Sequence, residues 1–425
     1  MDDINLLKGR MAEALVEGVF KRAQYMVARV ARETLAFVLA EMTGPHGGFL
    51  SAIDAETDGH EGFYYTWTRD ELKAALPSGE EAFLAGVLGF EGPPNFEHTR
   101  YVLHLPRPLA EAAAQAGLSD DALLDRLRRG RAALLGVRSA RERPLVDDKV
   151  LADWNGLMIA ALANAGRAFG RPEWLALATR AFDFVVARMQ VNGRLIHAFR
   201  AGIARAPATA SDYANMTWGA LRLFAATGES RFLDAAHGWS DVLDRHYWDA
   251  SGGGYCMTAD DTPDVIVRLC SAHDDATPNA NAIHLTNLVH LFLLTGESRY
   301  MQRAEAIPHA FAADLQRSLI GHAGLLANVL DVHAPQHVVV VGEDPAEPGP
   351  LTHVLGSLSL PGALAQVIAD PARMPASPAL AGKGLVDGRA AVYVCVGPQC
   401  SPPVTEAAVL ADLLRRTRQV ASSAA

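Results

Sequence analysis

The sequence predicts a mainly α fold built from αα-hairpins in series, and three observations lead there. The first is an internal repeat: "AFGRPEWL" around Gly170, "ATGESRFL" around Gly228 and "LTGESRYM" around Gly296. Each runs from an apolar helix into Gly, then three residues, an aromatic, and Leu or Met. Such a Gly suits a helix end that needs a positive φ, and Pro172 suits the first turn of the helix that follows. The second is periodicity, since Trp174, Ala178, Ala181, Val185 and Met189 fall on one helical face. The third is composition: half of the 425 residues are hydrophobic, enough for a substantial core, with no uninterrupted apolar run of membrane-spanning length.

Taken in order, residues 11–43 read as a helix of this series, with "VARVARETLAFVLAEM" running into Gly47, Gly48 and Phe49. "GGFLSAID" then gives a short strand signal, as do "NGRLIHAF" and "GGGYCMT" after the later hairpins. Residues 68–140 hold shorter helices, one of them "TRDELKAAL" with Thr68 as its N-cap. The repeat glycines are 58 and 68 residues apart, longer than a tetratricopeptide or HEAT unit, so each repeat carries a sizeable loop. Beyond residue 334, "HVVVVGED" and "RAAVYVCVGPQC" read as strands and "TEAAVLADLLRR" as a closing helix. The expected division is a hairpin domain over 1–333, a small α/β segment over 334–418 and a disordered tail over 419–425.

A net charge of -10, with no basic run or basic amphipathic face, argues against nucleic acid and against an anionic membrane surface as partners. A small neutral or polar ligand fits better. The N-terminus lacks a basic stretch followed by an apolar one, which predicts a cytoplasmic protein. Four cysteines are too few for a secreted disulfide framework. Cys395 and Cys400 form a C-x4-C pair, which matches neither the redox C-x-x-C nor a complete zinc set. "DAETDGHEG" lacks the full EF-hand arrangement and reads as a solvated acidic loop, and the scattered His residues predict no metal site and no cofactor.

Five blocks together resemble the YyaL-type family, also called the spermatogenesis-associated protein 20 or DUF255 family. They are "GGFLSAIDAETDGHEGFYYTWTRDEL", "DDKVLADWNGLMIAALA", "SDYANMTWGALRLF", "HDDATPNANAIHLTNL" and "YVCVGPQCSPPVT". The resemblance implies an (α/α)6 toroid similar to N-acylglucosamine 2-epimerases and six-hairpin glycosidases, usually preceded by a thioredoxin-like domain. No thioredoxin-like CxxC segment precedes the helices here and the family's early barrel motif is absent, so the expectation is a toroid incomplete at its N-terminus. A separately encoded thioredoxin-like protein is then an expected partner.

Three polar blocks stand ahead of the inner helices of successive repeats, which predicts that they converge at one end of the ring. Capping explains part of them: Asp153 at one helix start, Ser211 or Asp212 at the next. It does not explain Trp154 and Asn155, an aromatic face beside an amide, the combination that stacks on a sugar ring and bonds its hydroxyls. Tyr213, His273, Asn279 and Asn281 extend this substrate-binding set. A glycosidase needs two carboxyls, for which Asp148, Asp212 and Asp275 are the catalytic candidates. A 2-epimerase needs a proton-transfer pair instead, for which His197 and His273 are the candidates. The expected function is thus a carbohydrate-active or carbohydrate-binding toroid; the alternative is a non-catalytic scaffold derived by truncation.

Overall fold

The computed structural model describes residues 34–423 apart from 346, 359, 361, 375, 376 and 398. Of the helix expected over 11–43, residues 34–41 are helical (α1) and the earlier part lies outside the described residues. By spatial proximity the chain forms two compact units, Ala52–Asp147 and the remainder.

The smaller unit is closed where β1 (Ala52–Ile53) pairs antiparallel with β4 (Val146–Asp147). A short hairpin, β2 (Glu56–Thr57) with β3 (His60–Glu61), precedes four helices: α2 (Arg69–Ala75), α3 (Glu81–Leu88), α4 (Leu109–Gln115) and α5 (Asp120–Ser139). Thr68 caps α2 as the sequence predicts, in a reciprocal box with Glu71. Trp67, Leu72, Leu84, Phe90, Leu123 and Leu127 form its core. Arg141 lies over the Trp67 ring and donates to the carbonyls of Phe63, Tyr64 and Thr66.

The larger unit resumes at β5 (Val150–Leu151) and runs through paired helices: α6 (Ala152–Ala168) with α7 (Pro172–Arg188), α8 (Ala210–Thr227) with α9 (Ser230–His246), and α10 (Ala280–Thr295) with α11 (Ser298–Ala310). α12 (Ala312–Arg317) and α13 (Ala323–His333) follow. α6 packs on α8, α8 on α10 and α10 on α13, so the first helix of each pair lies in an inner row and the second backs it. This is the wall of an α/α toroid. Gly228 and Gly296 cap their helices in the left-handed region, and Pro172 opens α7, as the repeat predicts. α10 is buried almost all round, as befits an inner helix covered on several sides. α6 and α8 approach closely at Gly156, where an added Cβ would run into the backbone of Asn215.

"NGRLIHAF" folds as β7 (Arg194–Arg200), flanked by β6 (Gln190–Val191), β8 (Ile203–Pro207) and β5. "GGGYCMT" forms only isolated bridges, Trp248 with Tyr255 and Cys256 with Cys270, because Gly252–Gly254 turns the chain, with φ +88 at Gly253. Cys256 is disulfide-bonded to Cys270, and Cys395 to Cys400.

The C-terminal part is a sheet in the order β10 (Leu364–Ile368), β9 (Gln336–Val341), β11 (Ala391–Val396), β12 (Gln399–Cys400). β9 and β10 are parallel and β11 is antiparallel to β9. The unbroken valine run suits a central strand buried on both faces. α14 (Pro350–Ser357) and α15 (Ala407–Ser423) cover one face through Leu351, Leu355, Leu410 and Leu414. This segment lies in the same compact unit as the hairpins. α15 runs to Ser423, into the stretch expected to be a disordered tail, since neither Gly nor Pro interrupts "LLRRTRQVASS".

Candidate functional site

Three of the expected substrate-binding residues hold the scaffold together. Asn155, Tyr213 and Asn281 each stand fifteen positions ahead of their hairpin glycine, Gly170, Gly228 and Gly296. Each accepts from a backbone N–H in the preceding Gly-containing segment: Asn155 Oδ1 from Phe49 at 2.8 Å, Tyr213 Oη from Leu195 at 3.0 Å, Asn281 Oδ1 from Tyr255 at 2.8 Å. The two asparagines also donate back, Asn155 to the carbonyls of Phe49 and Leu151, Asn281 to those of Tyr255 and Ser271. All three are buried. With these groups committed to backbone, the amides of Asn155 and Asn281 are not free to read a ligand.

Between two of these clamps lies a cluster of another kind. The antiparallel register Leu151↔Ala198 brings His197, one position earlier on β7, against the start of α6, where Asp153 lies in the first turn. Asp212 approaches from the first turn of α8. Ligand atoms of Asp153, His197 and Asp212 all lie within 4.8 Å of one another. Asp212 is 0% exposed and its oxygens are filled: Oδ1 accepts from the Asp153 N–H at 3.0 Å, Oδ2 from the Thr209 N–H at 2.7 Å. The cap of α8 is thus Thr209 with Asp212, not Ser211. His197 Nδ1 lies 3.0 Å from both Asp212 oxygens and, since those oxygens are acceptors, Nδ1 carries the hydrogen. That leaves Nε2 as the ring nitrogen able to take or give a proton.

The electrostatics follow from this geometry. Burial, then the charge of Asp212, raises the Asp153 carboxyl from its ordinary 3.8 to about 6, despite a hydrogen bond from the Trp154 N–H. The hydrogen bond to Asp212 outweighs burial and raises the His197 imidazole above its usual value. Both groups keep some exposure, as does Trp154, which is 44% exposed one residue beyond Asp153. The same three side chains could hold a metal ion, as could His246, Asp260 and Asp261. Neither set shows in local spacing, which predicted none.

The other expected residues are not members of this cluster. Asp148 is exposed and ion-paired with Arg200 at 2.5 Å. Asp275 is exposed, and it is its neighbour Asp274 that works structurally, accepting from the N–H groups of Asn279 and of Gly324 in the first turn of α13. Asn279 caps α10 and donates to the His273 carbonyl, while the His273 ring packs edge-on against His322. Among the described residues no hydrogen bond or ion pair joins this third block to Asp212. Sequence reasoning marked Asp153 only as a cap.

No family model matches the chain. It is similar to spermatogenesis-associated protein 20 of Mus musculus, 29% identical over 92% of this chain and 54% of that protein. The Homo sapiens protein of the same name is 28% identical over 91% of this chain and 54% of its own length. The chain therefore spans about half the length of the curated relatives it matches. Solved structures with some likeness include the GH76 alpha-mannanase BT2949 of Bacteroides thetaiotaomicron, with TM-score 0.37 and 16% identity over 46% of this chain and 54% of that one. Another is cellobiose 2-epimerase from Bacillus thermoamylovorans, with TM-score 0.35 and 11% identity over 69% of this chain and 72% of that one. At such low overlap nothing about a site passes from them to this chain. No helix among the described residues is long and apolar enough to cross a membrane.

Proposed function

We propose that the chain acts on a carbohydrate-like ligand at the loop end of α6 and α8, with Asp153 and His197 as its proton-transfer pair. Asp212 is the positioning group that fixes both. The observation that carries this reading is the Asp153 carboxyl itself, raised to about 6 beside an imidazole whose tautomer a buried carboxylate sets. A group that ionises near neutrality can both give and accept a proton at working pH. The exposed Trp154 next to it supplies an apolar face of the kind a sugar ring stacks on.

Epimerase-like or isomerase-like proton transfer fits this arrangement better than two-carboxylate hydrolysis. Asp212 is fully buried with both oxygens engaged, so it is not placed to attack an anomeric carbon or to activate water. A carboxyl and an imidazole remain as the half-buried members of the cluster. The test is incubation with reducing sugars in deuterated buffer, reading deuterium at the carbon next to the carbonyl by NMR. Incorporation that disappears in Asp153→Asn and His197→Gln, both still folded, supports the proposal. Absence of exchange, together with a melting temperature indifferent to every sugar, refutes it and favours the scaffold alternative.

A further inference from the structure

A cavity of about 810 Å³ is lined by the C-terminal end of α6, by α14 and by the β10 segment. Two guanidinium groups lie on its wall, Arg167 of α6 and Arg222 of α8. Neither has an ion-pair partner among the described residues. Arg167 donates to the Ala365 carbonyl at 2.5 Å, while Arg222 Nε is buried without a hydrogen-bond acceptor. The hydroxyl of Thr352, on the same wall, is likewise buried without a partner. Burial lowers both arginines, and Arg222, with Arg167 beside it, falls from 12.5 to about 10. The one carboxyl that acts on Arg222 is Asp331, itself raised by burial and bonded to Thr286. A second carboxylate, the buried Glu343, accepts from the Leu351 and Thr352 N–H groups at the start of α14, and among the described residues neither it nor Asp331 forms an ion pair with Arg167 or Arg222.

An arginine held partly out of water without a counter-ion is costly, and two side by side more so. An oxyanion offers what the wall lacks, since the planar fork of a guanidinium matches phosphate oxygens in pairs and a hydroxyl completes the set. The volume falls in the range of small-molecule sites and exceeds that of a bare inorganic ion. We propose that this cavity binds a phosphorylated small molecule, with Arg222, Arg167 and Thr352 holding its phosphate group. This goes beyond the proton-transfer site, uses none of its residues and stands or falls separately from it.

Titration calorimetry on the full chain with inorganic phosphate and with glucose 6-phosphate tests it, with sodium chloride at matched ionic strength and unphosphorylated glucose as controls. Saturable binding of either phosphate, absent for both controls, is the expected result, weakened at least tenfold by Arg222→Gln and by Thr352→Val. Thr352→Val alters no charge and serves if Arg222→Gln does not fold. Tighter binding of glucose 6-phosphate than of phosphate places the rest of the ligand in the cavity. No phosphate binding, or binding that survives folded Arg222→Gln or Thr352→Val unchanged, overturns the proposal and makes the arginines structural.

Discussion

Replacing Asp153 by Asn removes a carboxyl that ionises against its surroundings, so the variant should be more stable than the parent at high pH. The carboxyl moves from 3.8 to about 6 on folding. The folded state thus holds its proton more tightly than the unfolded one. The penalty is absent below about pH 4, grows between pH 4 and 6, and is complete above 6. At about 1.4 kcal/mol per pH unit the interval corresponds to an upper limit of about 3 kcal/mol. The amide keeps an oxygen to accept from the Trp154 N–H, so little of this gain is lost to a missing hydrogen bond. Urea unfolding of parent and variant at pH 4.5, 6 and 8 should show a stability difference favouring Asp153→Asn that widens with pH and levels off above 6. A difference that is flat with pH, or a variant less stable at pH 8, would refute the reasoning and with it the view that the protein sacrifices stability at this position.

Asn155→Ala and Asn281→Ala each remove three hydrogen bonds to backbone and should destabilise by about 2–4 kcal/mol in urea unfolding, whereas Tyr213→Phe, losing one, should cost about 1 kcal/mol. Equal melting temperatures for parent and Asn155→Ala would contradict the clamp. Gly156→Ala forces apart the backbones of α6 and α8, and a loss of about 1–3 kcal/mol is expected by the same assay. By NMR the His197 ring should titrate above 6.5 and move down in Asp212→Asn, which removes the charge that its Nδ1 hydrogen faces. Titration of His197 unchanged by Asp212→Asn would remove Asp212 from its positioning role.

Hairpin glycines, the first-turn proline of α7 and the Thr68 cap were legible because each is a local conformational requirement that one residue type meets. The role of the polar blocks was not. Asn155 and a sugar-binding asparagine look alike in sequence; what separates them is whether backbone from Phe49, over a hundred positions away, takes up the amide. The Asp153, His197 and Asp212 cluster was hidden for a related reason. It depends on the strand register Leu151↔Ala198 and on a helix cap 59 positions from Asp153, neither of which leaves a local pattern. Asp275 was singled out by its place in the repeat, and sequence pattern does not separate it from Asp274, whose carboxylate accepts from Asn279 and Gly324.

The constant interval between each clamp and its closing glycine acts as a ruler. Fifteen residues of α-helix span about 22 Å, so α6, α8 and α10 are each tied at one end and terminated at the other over the same length. Whatever intervenes between the tied segment and the helix is free to vary. Residues 52–147 are inserted between Phe49 and its partner Asn155, while a far shorter stretch separates Leu195 from Tyr213. Excursions of very different size thus leave helix register undisturbed, and a hairpin with its loop becomes an interchangeable cassette, in which a lineage can remodel what its loop end recognises while the wall keeps its dimensions.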